Sequence, residues 1–368
     1  MSLTLECVIE FLRVRGLVSE QMLVEHDVRV EEVGGRNHNF RVVVTGGPSY
    51  FVKQAPPEDT DDPAVTVESE LYRRVREVPA WNHLASYIPR FRLYDAGQAV
   101  LVTDWDSDLR DVVGFEDEPD VLSRTPVGEA TATALAACHR AGRNANGADL
   151  EFLPKAAPGI LSIGRPSPSH LKYLSPAQIQ VIQVIQEQPA MQAVLDQIGA
   201  DWAGTSIVHT DVKWSNVLKR VDRQHGGVLG VVLIDWELAR LGDPAWDVGS
   251  VFHNYLTHCV LSASVPDRSS PAEAAEAIGA ALASSHNQLH AFWDTYAREA
   301  QPFEPMGRPF LSRAINSCIV RLVQTAYEWC QEETAISGRA AALLQLALNM
   351  LGRTDEARRV VFGGLAEH

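Results

Sequence analysis

Apolar residues recur at helical spacing near the start of the chain, at Leu5, Val8, Ile9 and Leu12, and predict a helix over 3–24. The period then changes. Val28, Val30 and Val33 are interleaved with polar residues, Phe40, Val42 and Val44 follow, and Tyr50-Phe51-Val52 comes after a Gly46-Gly47-Pro48 turn. That pattern predicts three strands within 28–54, joined by a Gly-rich turn and a tight turn. Residues 56–63 read as an acidic loop, 64–77 as a helix, 89–94 and 99–103 as two more strands, and 104–108 as a polar connector. Beyond residue 105 the character shifts. An Ala-rich helix is expected over 126–140, a loop carrying Pro154, Pro158, Pro166 and Pro168 over 143–175, and a helix over 176–198. Two short strand-like runs flank a polar loop within 205–236, and helix dominates from 271, Ala-rich at 272–284 and 340–349. The expected class is α+β: a small antiparallel sheet with one inserted helix in an N-terminal lobe, 1–104, and a mostly helical C-terminal lobe, 105–368.

Composition narrows the function. The chain has 368 residues, 46% hydrophobic and 21% charged, which is ordinary for a globular protein of two domains or lobes. Its net charge of −15 excludes a general nucleic-acid binder, because phosphate neutralisation needs a basic face. Cys7, Cys138, Cys259, Cys318 and Cys330 are odd in number and contain no C-x-x-C pair, so neither a disulfide framework nor a zinc site is expected. The first residues, Met1 to Glu6, lack a basic segment, and the longest apolar run, Val228 to Ile234, is too short for a bilayer. The expectation is a soluble cytoplasmic protein without membrane contact.

Two stretches carry chemistry. His209-Thr210-Asp211-Val212-Lys213-Trp214-Ser215-Asn216 has the form H-x-D-x-x-x-x-N. Val231-Val232-Leu233-Ile234-Asp235-Trp236-Glu237 is an apolar run ending in an acid, followed by Gly242-Asp243-Pro244-Ala245-Trp246-Asp247. Together they resemble the catalytic core of the aminoglycoside phosphotransferase and choline kinase superfamily, whose bilobal fold is protein-kinase-like. The match spans most of 30–255; the last third, which should carry acceptor specificity, resembles nothing nameable. Phosphoryl transfer to a hydroxyl needs an acceptor for the hydroxyl proton, metal ions on the nucleotide phosphates and correct positioning. By resemblance Asp211 accepts or orients the hydroxyl, while Asn216 and Asp235 supply hard oxygen ligands to Mg²⁺. ATP and Mg²⁺ are the implied cofactors, bound in a cleft between lobes.

The N-terminal lobe adds further candidates. Gly34-Gly35-Arg36-Asn37-His38-Asn39 lies between two expected strands, where such enzymes place a nucleotide-binding loop; Gly34, Gly35, Asn37 and Asn39 are its candidates. Lys53 ends the next strand and by resemblance holds the α- and β-phosphates. Its acidic partner is Glu68 or Glu70. Leu71, Tyr72 and Val75 share a helix face with Glu68, whereas Glu70 has Arg73 and Arg74 three and four residues on, so Glu68 is favoured. Thr103, Asp104 and Trp105 fall at the position of the hinge that binds adenine. His139, His209 and Asp247 read as structural braces.

The chain departs from many small-molecule members at Thr210 and Lys213. Protein Ser/Thr kinases carry a lysine two residues after the catalytic Asp, where it neutralises the transferring phosphoryl, and Lys213 is assigned that role. The first reading is a kinase of a small-molecule hydroxyl, aminoglycoside-like or metabolic. The alternative is a Ser/Thr kinase of a precursor peptide in lanthipeptide-like maturation, which would need a separate partner lyase. A catalytically silent scaffold is disfavoured because Lys53, Asp211, Asn216 and Asp235 are all present. Trp293, Tyr296, Phe303, Phe310, Tyr327 and Trp329 read as helical core before they read as an acceptor surface. The Pro-rich loop at 154–168 is long enough for a lid or partner-binding loop.

Overall fold

The computed structural model describes residues 2–56, 64–112, 124–202, 204–222, 224–225, 227–263, 271–301 and 305–366. The chain is α+β and divides into two compact units, neither contiguous in sequence: Met1–Val112 with Ala145–Leu153 and Ser215–Ala239, and Val113–Asn144 with Pro154–Trp214 and Arg240–His368. Most of the acidic loop expected at 56–63, and Phe303, lie outside the described residues.

The first unit is built on a five-stranded antiparallel sheet of β1 (Val28–Val33), β2 (His38–Val44), β3 (Ser49–Gln54), β4 (Phe91–Asp95) and β5 (Val100–Trp105), in the order β1-β2-β3-β5-β4. Alternation along the strands gives the sheet two different faces. Phe40, Val42, Tyr50, Val52, Val100 and Val102 point one way and bury against Leu3, Val8, Phe11 and Leu12 of the N-terminal segment. The expected helix over 3–24 is two: α1 (Val8–Val14) and α2 (Glu20–Glu25). Gly16 breaks it at φ +70, a conformation glycine adopts at little steric cost. The other sheet face carries Asn39, Lys53, Leu101, Thr103 and Trp105, as the pairings Asn39 with Lys53, Lys53 with Leu101 and Phe51 with Thr103 require. The helix α3 (Ala64–Glu77) lies in the same unit, and a second sheet joins β6 (Leu109–Asp111), β8 (Val217–Val221) and β9 (Val228–Leu233).

The second unit is mostly helical: α4 (Arg124–Asn144), α5 (Pro168–Leu171), α6 (Pro176–Gln186), α7 (Pro189–Ala200), α8 (Pro244–Ser262), α9 (Pro271–Ala300), α10 (Arg308–Trp329), α11 (Gly338–Met350) and α12 (Thr354–Val360). A two-stranded ladder pairs β7 (Ser206–Val208) with β10 (Arg240–Gly242). The helix expected over 176–198 is also two, because the residue before a proline is driven out of the helical region; Gln188 is extended at ψ 92 ahead of Pro189. Within the loop expected over 143–175, Pro168–Leu171 makes one helical turn. Trp293, Tyr296 and Phe310 are buried and pack on one another as core.

Close approach of α8 and α10 depends on Gly249. A Cβ there would lie 2.4 Å from the Ala314 carbonyl oxygen and 2.8 Å from the Cys318 nitrogen, and backbone cannot yield as a flexible side chain does. Gly249→Ala is expected to destabilise the protein by about 1–3 kcal/mol through overpacking; an unchanged urea midpoint would refute the tight contact.

Candidate active site

In the first unit the centre is the ammonium of Lys53. Its Nζ lies 2.7 Å from Glu68 Oε2, 2.5 Å from Asp235 Oδ1 and 2.7 Å from Glu237 Oε2, and its side chain is 5% exposed. Burial alone would favour the neutral amine, but the three carboxylates outweigh it and hold Lys53 charged, its pKa raised. Glu68 is fixed in turn: Tyr72 donates its hydroxyl to Oε1 at 2.6 Å, and the Trp236 backbone N–H donates to the same oxygen at 3.2 Å. Burial and the Glu68 carboxylate push the Tyr72 phenol well up, so it remains a donor. Glu70 instead bonds Arg73 and Arg74, as its helical spacing implied.

The β8–β9 hairpin delivers the acids. Val217 pairs with Leu233, so Asn216 and Ile234 meet at its open end, where the Ile234 N–H donates to the Asn216 carbonyl at 3.0 Å. Asp235 follows in a left-handed conformation, φ 65 and ψ 54, which Asp tolerates better than most residues and which turns the chain sharply after the strand. Trp236, fully buried, anchors the turn by donating its indole N–H to the Leu233 carbonyl at 2.8 Å.

The Gly-rich loop sits between β1 and β2. Asn37 Nδ2 donates to Glu237 Oε2 at 2.8 Å, which ties this loop to the acidic turn. Gly35 has φ +151, and an added Cβ would lie 3.0 Å from Asn39 Nδ2. Asn39 stands opposite Lys53 in the ladder, with its Oδ1 buried and unpartnered. The structure thus gathers Asn37, Lys53, Glu68 and Asp235, with Gly34, Gly35 and Asn39 in the adjoining loop and strand and the Asn216 backbone at the end of the β8–β9 hairpin. Thr103 and Trp105 share the Lys53 face of the sheet, and Arg41 stacks on Trp105 at 4.2 Å. Asp104 projects to the opposite face, where Arg92 Nη2 holds Oδ2 at 2.9 Å, and its N–H bonds the Arg90 carbonyl.

The second unit holds Asp211 on a loop of fixed shape. Thr210 is left-handed at φ 64, costly for a β-branched residue. Asp247 of α8, fully buried, maintains it by accepting the His209 N–H at 2.7 Å and the Thr210 N–H at 2.9 Å. His139 Nε2 lies 3.1 Å from the same carboxylate, and its Nδ1 lies 2.8 Å from the Tyr296 hydroxyl. Trp246 donates to the Thr210 carbonyl at 3.0 Å and Asn254 to that of Val212 at 3.1 Å. The Asp211 carboxylate meets Lys213 Nζ at 2.8 Å and Arg321 Nη2 at 3.1 Å. Burial alone would raise its pKa, but the Arg321 and Lys213 cations prevail and hold it down to about 2.

Sequence reasoning passed over Glu237, Tyr72 and Arg321. Arg321 had a visible signal, a lone charge inside Ile319-Val320-Arg321-Leu322-Val323, because a charge on a buried helix face must find a partner. Glu237 lay only two residues past Asp235.

The family model described as "phosphotransferase enzyme family" matches residues 28–266. Among solved structures, the amicoumacin kinase hAmiN in complex with AMP-PNP, Ca²⁺ and Ami is 12% identical, with a TM-score of 0.56 over 93% of this chain and 95% of that one. LicA in complex with AMP is 14% identical, with a TM-score of 0.53 over 96% and 100%. A choline/ethanolamine kinase family protein from Mesorhizobium loti is 13% identical, with a TM-score of 0.51 over 97% and 99%. At these identities the likeness is one of fold. No curated protein matches the sequence. Among the described residues no helix is long and apolar enough to cross a membrane.

The Asp247 brace is open to a direct test. Asp247→Ala leaves two buried N–H groups without an acceptor, each costing about 1–3 kcal/mol. A combined loss of about 2–5 kcal/mol is expected in urea denaturation; a loss below about 1 kcal/mol would remove the bracing role.

Proposed function

The chain belongs to the phosphotransferase enzyme family, and from that premise we propose that it moves the γ-phosphoryl group of ATP to the hydroxyl of a small molecule. The observation that carries the reading is Lys53, whose ammonium meets Glu68 on one side and Asp235 on the other. Such a lysine is an electrophilic clamp for phosphate oxygens, held in place by a carboxylate that does not itself react. Fold neighbours solved with AMP-PNP and with AMP favour an adenine nucleotide.

The donor set suits a hard divalent cation. Glu68, Asp235 and Glu237 bring carboxylate oxygens within 4.8 Å of one another, and one lysine leaves their charge only partly balanced. Asn216 and Asp235 would hold Mg²⁺, with Glu237 beside them. When bound, the ion neutralises phosphate charge and orients the group that transfers. Lys53 binds the α- and β-phosphates, and the Gly34–Asn39 loop covers them with backbone N–H groups.

Asp211 orients the acceptor. A carboxyl held down to about 2 stays ionised at any working pH, and it is a weak base. Its work is to accept the hydroxyl hydrogen bond and to receive the proton as the new P–O bond forms. Lys213, half exposed and paired with Asp211, would turn to the transferring phosphoryl and screen its charge. A peptide hydroxyl is the second reading, favoured by Lys213 standing on Asp211 as in protein Ser/Thr kinases; it would call for a partner lyase. Five free thiols fit a reducing compartment, and we place the reaction in the cytoplasm.

Intact-mass detection of phosphate transfer with ATP and Mg²⁺, over panels of aminoglycosides, small alcohols and Ser/Thr peptides, tests the reading. A gain of one phosphate on a small molecule supports it, and transfer to peptides alone selects the second reading. Asp211→Ala should lower turnover by about 10³-fold with nucleotide affinity nearly unchanged; retained turnover removes the role given to Asp211. Asp235→Ala should weaken Mg²⁺-dependent nucleotide binding by roughly tenfold or more, read by calorimetry. Equal affinity in that variant would refute its place at the metal.

A further inference from the structure

Arg321 lies on α10, outside both sequence motifs, with a side chain 7% exposed. Its guanidinium is held at both ends. Nη2 donates to Asp211 Oδ1 at 3.1 Å, and Nη1 donates to Gln324 Oε1 at 2.7 Å. Gln324 Nε2 in turn donates to Glu328 Oε1 at 2.8 Å, which fixes the orientation of the amide. Arg321 Nε is buried with no partner, so the side chain gives up one hydrogen bond to reach this geometry. A buried arginine that leaves a donor unsatisfied is costly for packing alone.

The two oxygens of Asp211 are thereby unlike. Oδ1 is bound by a buried, tethered cation. Oδ2 is bound at 2.8 Å by Lys213, whose side chain is 46% exposed and mobile by nature. We propose that Arg321 is a positioning residue for phosphoryl transfer: it pins Oδ1 of Asp211, so that Oδ2 is the oxygen presented to the acceptor hydroxyl once Lys213 turns to the phosphoryl group. The proposal rests on the phosphotransferase reading of Asp211. In the step it serves, the acceptor O–H bond breaks and an O–P bond forms to the γ-phosphorus. The bond from that phosphorus to the bridging oxygen breaks, and nucleoside diphosphate leaves. The proton passes to Oδ2 and then to water.

Among the described residues, charged and titratable groups reach Asp211 from its own loop, from α10 and from α8. Lys213 and His209 come from its own loop, with the His209 ring nitrogen Nδ1 accepting the Asp211 N–H at 3.3 Å. Arg321 comes from α10. From α8 come His253 and Asp247, the latter bonded to the loop backbone. Burial, and then the Arg321 charge, push His253 down to about 3, so it is neutral and adds no cation. Arg321, buried, is the largest of the charges that hold the Asp211 carboxyl low, ahead of the half-exposed Lys213.

Arg321→Gln and Arg321→Lys in the full chain separate positioning from packing. Two readouts are used: the pH dependence of Mg-ATP turnover, with water or the best acceptor of the panel, and ¹³C titration of the Asp211 carboxyl, assigned with Asp211→Asn. In Arg321→Gln, kcat should fall about 100-fold, as for a misplaced reacting group, with KM for ATP unchanged. Asp211 should then titrate about one pH unit or more higher, toward the ordinary carboxylate value, and the acid limb of turnover should rise with it. Arg321→Lys, which keeps a cation, should restore part of kcat and most of the low titration. Should Arg321→Gln fail to fold, Arg321→Lys carries the test: kcat reduced with Asp211 still titrating low supports the pin, and kcat equal to the parent overturns it. Unchanged kcat and an unchanged Asp211 titration in Arg321→Gln overturn it as well. No turnover by the parent protein with any acceptor would instead remove the phosphotransferase reading, and the proposal with it.

Discussion

A lysine ammonium taken out of water must be surrounded by compensating charge, and at Lys53 three carboxylates supply it within 2.7 Å. Three parts of the first unit converge to meet that demand. The strand β3 carries the lysine, α3 carries Glu68, and the turn after β9 carries Asp235 and Glu237. Tyr72 and the Trp236 N–H hold Glu68, and Asn37 holds Glu237. Three anions around one cation leave a surplus of negative charge. A cluster of this kind is poorly balanced alone and well suited to a divalent cation with a polyphosphate.

The second unit solves a different problem, the shape of a loop rather than the burial of a charge. Thr210 is held in a conformation its side chain disfavours, and the fully buried Asp247 makes that possible by accepting two successive N–H groups. The loop then projects Asp211 between two cations of unlike character, one sealed in the helical core and one at its edge. The geometry separates holding from releasing: Arg321 keeps its oxygen, and Lys213 can let go.

Much of this was legible in the sequence because local period reports local structure. The strands of the first unit and α3 follow from alternation and helical spacing, and the choice of Glu68 over Glu70 needed only the positions of Leu71, Tyr72 and Val75 against Arg73 and Arg74. The helix breaks at Gly16 and before Pro189 were readable as punctuation but were overridden by the apolar runs around them. Asp104 was placed by its position at the hinge, where backbone groups matter, and strand parity sends its side chain away from Lys53. Arg321 was visible as a lone charge in an apolar helical run, but its partner was not. Its partner lies 110 residues away, and no periodicity encodes a contact of that range.

The discontinuity of the first unit bears on how the protein comes into being. Lys53 and Asp235 are separated by 182 residues. At a ribosomal rate of about 5–20 residues per second, the lysine emerges on the order of 10–40 s before the acid that completes its surroundings. Through that interval the chain holds the cation and Glu68 but not the turn that carries Asp235 and Glu237. The nascent chain therefore cannot finish its first unit first. Much of the helical unit has to be translated before the first unit is complete, and an interruption of synthesis anywhere from Val112 to Asp235 leaves the charge cluster without two of its three carboxylates.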